Sequence, residues 1–585
     1  MNREQVAEIL ISIGTLLELK GENPFKVRAY TNAARTLESL EEPLDKLVRE
    51  ERLGTVKGIG DALQKKITEL VTTGKLQYYE ELRAETPPGL LLMLEIPGLG
   101  PKKIRALHDR LSLESIEQLE QACKEGKVAE LEGFGEKTQT KILEGIERRR
   151  VYASRFLLSQ AIPPAEELLN ALRQHPDVVR CASAGSLRRH REVIGDIDLL
   201  ASSKAPSAVI GYFAAHPMVA KVVAHGDTKC SVVLENGLQA DLRVVADGEF
   251  APALMYFTGS KEHNIVMRQR AIARGLRLNE YGLFRSEVET RDLALRVPCP
   301  TEAAIFEELG LSYIPPEMRE DKGEFALAER GEIPRLIEWT DLKGSLHNHS
   351  TWSDGHQTLM EIVRSMQELG LAYWGVTDHS KASFQAKGLD ATSIRRQVRE
   401  IRAINEQLDA EGSDFRLLTG VEVDVHRDGR LDLDDDLLAE LDVVIASIHQ
   451  SFNLPEAENT KRLIRAAENP WVTTLGHPTG RLLLAREGYP VDLHAVIDAC
   501  AETGTWIELN ASPTRFDMDW RCWPYAKQKG VKGVINCDAH RFDQVGWLRL
   551  GAGIARKAGL TRDDIVNTQP LEQLRKALVA KRQRR

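Results

Sequence analysis

The chain has 585 residues, enough for about three to five domains at roughly 100–200 residues each. Apolar residues at 42% and charged residues at 28% exclude a largely disordered chain, because ample apolar surface is available for cores. Lys and Arg number 78 against 87 Asp and Glu, a net charge of −9, so any grip on nucleic acid must come from local basic patches.

The start of the chain is amphipathic and interrupted by Glu8, Glu18 and Lys20, with no evident signal peptide. The densest apolar run, Leu90–Leu94, stops at Glu95, far short of a membrane span. The first 150 residues carry helical three- and four-residue spacing broken by short glycine turns. Gly58-Ile59-Gly60, Gly98-Leu99-Gly100 and Gly133-Phe134-Gly135 recur at intervals of 40 and 35 residues, each followed by lysines. A Gly-x-Gly turn opening a helix aims backbone N–H groups and the helix dipole at a phosphate. The plain alternative is a tight helix connection that needs glycine for packing.

Short strands are expected from about Val178 to Val245. Val232–Asp241 reads as a β-hairpin turning at Asn236-Gly237. Helical and strand patterns mix to about Pro316, and the charge-rich residues 317–342 read as a linker. From residue 343, apolar runs end near Leu346, Val376, Val421, Ile448, Leu475, Ile507 and Ile535, with helical patterns between most of them. This rhythm predicts a parallel α/β barrel or a related fold. The terminal Lys581-Arg582-Gln583-Arg584-Arg585 reads as a solvated basic end. Seven cysteines without a Cys-x-x-Cys pair fit reduced thiols and a cytoplasmic setting.

Two sets of residues carry chemistry. In Gly195-Asp196-Ile197-Asp198, alternation along a strand projects Asp196 and Asp198 together, and the hairpin returns Asp241 on a neighbouring strand. Three converging carboxylates repel unless cations sit between them, and a pair of Mg²⁺ ions suits phosphoryl transfer. Of fifteen histidines, nine follow residue 343. His347, His349, His379, His449, His477 and His540 fall at or just beyond strand ends, joined by Asp354, Glu422 and Asp538. Active sites of parallel barrels form at the carboxyl ends of strands, so these segments should converge. Imidazole with carboxylate suits Zn²⁺, Mn²⁺ or Fe.

Gly185-Ser186-Leu187-Arg188-Arg189, the Asp-x-Asp strand and Asp241 resemble the palm of family X DNA polymerases, the polymerase-beta-like nucleotidyltransferases. Tyr256-Phe257-Thr258-Gly259-Ser260, with Asn264, Arg268 and Asn279-Glu280-Tyr281, resembles the polymerase branch in particular. The glycine turns resemble DNA-gripping helix-hairpin-helix motifs, and the nine barrel ligands resemble the PHP (polymerase and histidinol phosphatase) domain.

The resemblance implies that Asp196 and Asp198 hold two Mg²⁺ ions, with Asp241 also at the metals and activating the primer 3′-hydroxyl. Gly185, Ser186, Arg189, Tyr256, Phe257, Gly259 and Asn264 would bind the deoxynucleoside triphosphate. Arg268, Lys26, Tyr30 and the glycines of the three turns would bind DNA. His190 stands where many members have glycine. Lys66 matches the family's lyase lysine, while Ala62 replaces a second family lysine. The nine barrel ligands would hold up to three Zn²⁺ or Mn²⁺ ions, with His356 beside them.

The implied architecture is multidomain. It comprises a lyase-like helical DNA-binding domain (1–82), a fingers-type helix-hairpin-helix domain (83–150), an α/β nucleotidyltransferase palm (151–250) and a nucleotide-selecting thumb (251–316). The linker (317–342) and a (β/α)7 PHP phosphoesterase barrel (343–585) follow. The implied protein is a monomeric, cytoplasmic, nucleoid-associated polymerase that fills short gaps in base excision repair on gapped or primer-template DNA. Its barrel would act as a 3′–5′ exonuclease or process ends and abasic sites, independently of the palm, with deoxyribose-phosphate lyase and abasic endonuclease as further activities. Two rivals are a polymerase carrying a small-molecule phosphatase barrel and a non-catalytic DNA-binding scaffold.

Overall fold

A computed structural model describes residues 3–583 apart from 39, 41, 43 and 97. It separates into two compact units, Met1–Ser154 and Arg155–Arg585. The first unit is helical. Leu10, Ile13, Leu37 and Ile67 belong to one apolar core, and Met93, Ile104, Leu107 and Ile142 to a second. The leading glycines of the three turns, Gly58, Gly98 and Gly133, all take positive φ. Helices Asp61–Thr73 and Pro101–Leu111 start directly after Gly60 and Gly100, whereas the third helix, Gly135–Ala153, starts on Gly135 itself.

The second unit begins with a five-stranded sheet of β1 (Val178–Ser183), β2 (Asp196–Ser203), β3 (Val219–His225), β4 (Lys229–Leu234) and β5 (Gln239–Val245), in the order β1-β2-β5-β4-β3. The expected hairpin is β4–β5, which pair antiparallel. Its loop differs from the expected two-residue turn. Leu234 N–H donates to Leu238 O, enclosing three residues, and Gly237 takes φ 84°. A parallel pairing of β2 with β5 sets Asp198 directly opposite Asp241.

The barrel has seven strands: β6 (Gly344–Ser345), β7 (Tyr373–Val376), β8 (Arg416–Asp424), β9 (Val443–Ser447), β10 (Thr474–Leu475), β11 (Trp506–Asn510) and β12 (Gly533–Asn536). They pair in parallel in chain order. A parallel bridge from Asn348 to Ala539 joins the first and last strands just beyond their ends.

Two expectations need correction. Residues 317–342 do not form a free linker: they include a helix, Glu324–Arg330, and Arg319 and Glu324 are buried. Arg319 Nη1 donates to Glu302 at 2.7 Å, and His263 Nδ1 lies 3.0 Å from Glu324. The charges that suggested solvent exposure neutralise one another inside the fold. Nor is the basic end fully solvated. Lys581 is buried with its ammonium on the carbonyl of Asn469, and Arg582 donates to Asp442 O; Arg584 and Arg585 lie outside the described residues.

Candidate active site and metal centre

The palm carboxylates form on one sheet face as alternation requires, with Ile197 and Leu199 buried beneath. Burial, then the neighbouring Asp196 and Asp241 charges, pushes the Asp198 carboxyl up to about 7. Burial and Asp241 also raise Asp196. Asp241 accepts from Gln239 Nε2 at 2.9 Å and lies 3.2 Å from Lys229 Nζ. Lys229, Arg155 and Arg189 lower these carboxyls, yet Asp196 and Asp198 stay raised, so the site fits oxygen-seeking cations.

The adjoining turn is built around Gly185, where φ is 57° and a Cβ would collide with the Asp198 carboxylate. Only glycine fits, and the turn is thereby held against the carboxylates. Next to it the Ser186 hydroxyl is buried without a hydrogen-bond partner among the described residues. Arg188 is structural: it donates twice to Glu302, at 2.9 and 2.6 Å, and to Thr258 Oγ1 at 2.6 Å. Arg189 Nε donates to Glu320 at 3.1 Å and Nη1 donates to Thr258 O.

Asn264 Nδ2 donates to Tyr256 O at 2.7 Å, leaving its Oδ1 buried and unpartnered. Tyr256 packs edge-on against Phe257, and Arg243 sits 4.6 Å over the Phe257 ring. Exposed Arg268 lines a cleft of about 500 Å³ with Tyr256, Asn279, Tyr281 and Arg291. In the first unit, the Lys66 ammonium lies 4.5 Å over the Tyr78 ring, which stacks on buried Tyr30. Burial, then Tyr78, raises the Tyr30 hydroxyl, and Lys26 shares the same tyrosine. Sequence reading missed Tyr78.

All nine expected barrel ligands converge. They form four overlapping groups: His349, Asp354, His379 and His540; His347, Glu422 and His477; His347, His349 and Asp538; His379, Glu422 and His449. Glu422, two residues before the end of β8, lies 2.9 Å from His477 Nε2, 3.1 Å from His449 Nε2 and 2.7 Å from His379 Nδ1. His379 Nδ1, His347 Nε2, His349 Nδ1 and Glu422 Oε2 are nevertheless buried without hydrogen-bond geometry. Donor atoms crowded this way, several of them without a hydrogen-bond partner, fit shared cations. The surrounding imidazoles hold Glu422 and Asp538 far below the usual carboxylate range, although burial alone would raise them. His349 is also lowered, to about 3, by burial and its neighbours His540 and His379, which favours its neutral ring. His356 is exposed beside this centre.

A supporting shell escaped the sequence reading. Glu508, fully buried on β11, accepts from His347 Nδ1 at 2.7 Å and from the backbone N–H of His477 at 2.6 Å. Asp424 lies 3.1 Å from His449 Nδ1. Such carboxylates fix the tautomer and angle of the ligand rings. A signal existed for both: Asp424 alternates with Glu422, and Glu508 interrupts an apolar strand.

Comparisons with known proteins agree with this anatomy. Residues 1–76 match the helix-hairpin-helix domain family, 90–148 the SAM-like helix-hairpin-helix tandem, 253–320 the DNA polymerase beta thumb and 345–512 the PHP domain. The chain is 39% identical to the DNA polymerase/3′-5′ exonuclease PolX of Bacillus subtilis (strain 168), over 98% of this chain and 99% of that protein. A probable phosphatase of Thermoanaerobacter sp. (strain X514) is 32% identical over 38% of this chain and 89% of its own length. One from Caldanaerobacter subterraneus subsp. tengcongensis is 29% identical over 41% of this chain and 91% of its own. With a relative matched across nearly the whole of both chains, and hairpin, thumb and PHP families matched in that order along the sequence, this chain belongs to the bacterial family X DNA polymerases that join a polymerase-beta-like core to a carboxyl-terminal PHP domain.

Proposed function

We propose that the protein is a DNA-directed DNA polymerase that fills short gaps during repair and hydrolyses DNA from the 3′ end in its barrel. The observation that carries the polymerase reading is the gathering of Asp196, Asp198 and Asp241 beside the unpartnered Ser186 hydroxyl. Asp196, Asp198 and Asp241 would hold two Mg²⁺ ions, and Asp241 would take up the proton of the primer 3′-hydroxyl as it attacks the α-phosphate and expels pyrophosphate. Gly185, Ser186 and Arg189 would receive the triphosphate, while Tyr256, Phe257, Gly259 and Asn264 border the nucleotide. Arg268 would contact the template strand, and the glycine turns would grip DNA backbone.

In the barrel the nine ligands would hold up to three Zn²⁺ or Mn²⁺ ions, because imidazole supplies most donors. Such ions supply a polarised phosphate and an activated water. Glu508 and Asp424 keep the histidine rings aimed. Abasic-site cleavage by the same centre, base excision repair as the pathway, and monomeric action on nucleoid DNA in the cytoplasm extend this reading. The test is a metal-titrated assay on gapped, recessed and abasic DNA with palm and barrel variants side by side. Loss of gap filling in Asp241→Ala with DNA binding intact is the expected result, and persistent primer extension would sink the assignment.

A second reading keeps the palm but makes the barrel a small-molecule phosphatase. It is favoured by relatives named as probable phosphatases that match 38% and 41% of this chain over most of their own length. Faster turnover of free phosphate monoesters than of DNA would support it. The non-catalytic scaffold finds no support, since all three palm carboxylates are present.

For the lyase, Lys66 would attack the deoxyribose carbon as an imine-forming nucleophile in its tyrosine-lined setting. Borohydride should trap it on incised abasic DNA. Undiminished trapping in Lys66→Ala would move the role elsewhere, and no trapping in the unmodified protein would remove the activity.

A further inference from the structure

The palm turn that carries Ser186 and Arg189 rests on the barrel. Lys557, the last residue of the barrel helix Trp547–Lys557, has a side chain with no solvent exposure. Its ammonium donates to Arg189 O at 3.1 Å and to the Glu320 carboxylate, and lies 4.6 Å over the Trp520 ring. One turn earlier the helix has Gly553, where any Cβ would strike the His190 ring, and His190 itself takes φ 51°. The unusual residue at position 190 is therefore a contact with the barrel. Glu192 forms a further tie: its carboxylate receives Arg481, which also donates to Arg515 O at 2.9 Å and to Asp519 at 2.7 Å.

The charges have an order. Glu320 is nearly buried and faces three cations: Arg189 Nε at 3.1 Å, Arg191 Nη1 at 3.5 Å and Lys557. Arg189 and Lys557 share the same carboxylate oxygen, Oε1. A buried carboxylate cannot be left without a cation cheaply. If Arg189 is to turn its guanidinium to a triphosphate, another buried cation must stay with Glu320. Arg191 is half exposed and at the edge of contact, so Lys557 is the one placed to do this.

We propose that the barrel helix is a working part of the polymerase site, with Lys557 as a positioning residue that holds Glu320 and so releases Arg189 to the incoming triphosphate. This rests on the reading that Arg189 binds the triphosphate. Without Lys557, Glu320 would keep Arg189 to itself, and nucleotide affinity would fall while the chemical step stayed the same.

The test is steady-state gap filling by the full-length protein, with DNA hydrolysis and thermal melting measured on the same samples. Lys557→Met should raise KM for the nucleotide about ten-fold, the scale of one charge-assisted hydrogen bond, with kcat and hydrolysis little changed. Adding Glu320→Gln to it removes the competing charge and should return KM to within about two-fold of the starting value, a rescue that loss of packing would not show. Arg189→Ala should raise KM as well. An unchanged KM in Arg189→Ala would overturn the triphosphate reading itself. A raised KM there with an unchanged KM in Lys557→Met would overturn only the role of Lys557. Equal impairment of the single and double variants would reduce Lys557 to packing and also overturn it. Should Lys557→Met fold poorly, Lys557→Gln, which keeps a donor for Arg189 O but no charge for Glu320, should show the same rise in KM, and an unchanged KM there would overturn the role of Lys557.

Discussion

The palm and the barrel both concentrate carboxylates for cations, yet their carboxylates behave in opposite ways. In the palm, Asp198 is pushed up to about 7 because burial and two like charges oppose its ionisation. In the barrel, Glu422 and Asp538 are more deeply buried but held strongly ionised, because histidines surround them. Arg155, Arg189 and Lys229 lower the palm carboxylates without cancelling the effect of burial and mutual repulsion, so bound cations would complete the charge balance there. The barrel carries built-in donors and supporting carboxylates suited to retaining ions between turnovers. Mixed ligands of this kind would favour a retained centre, and bare carboxylates one that fills with substrate.

The largest expected effect separates the two centres. Asp196→Ala should cut nucleotide addition on the order of a thousand-fold while hydrolysis survives. His347→Ala with His349→Ala should lose bound metal and hydrolysis while gap filling survives. Paired assays on one preparation check this, and loss of hydrolysis in the palm variant would break the division of labour.

A smaller effect sharpens the contrast in metal retention. Glu508→Gln removes the charge behind His347, and metal affinity in the barrel should fall about ten- to a hundred-fold. Metal content after dialysis reads this directly, and Mg²⁺-driven gap filling should be unaffected.

The last test isolates what fixed cations do to a carboxylate. Burial alone would raise Glu302, but Arg319 and Arg188 hold it at about 2, against an ordinary value of 4.5. Its folded-state value is depressed, so it binds protons less readily than in the unfolded chain. Its stabilisation is full above about pH 4.5 and is lost as pH falls through 2. The displacement corresponds to about 3 kcal/mol, an order-of-magnitude figure. Urea midpoints of Glu302→Gln should lack this portion of the acid-induced loss, and at neutral pH the variant should be less stable. An unchanged acid slope would show that the pairing contributes nothing.

The sequence by itself determined the chemistry. Strand alternation put Asp196 and Asp198 on one face, and the seven-fold rhythm of apolar runs placed six histidines at strand ends, where a parallel barrel must bring them together. These are periodic, local signals, legible because each residue's facing follows from its own strand. Tertiary structure alone decided the rest. Charge-rich residues 317–342 looked solvated, yet Arg319 and Glu324 are buried, because a charge's partner is chosen in space rather than by neighbours in the chain. Arg189 is far from Glu320 and Lys557 in sequence and beside both in the fold. Palm and barrel side chains belong to one continuous apolar core, from Leu158 to Ile565. No periodicity encodes such a contact, since it depends on how two finished surfaces meet, and that is where the palm turn found its support.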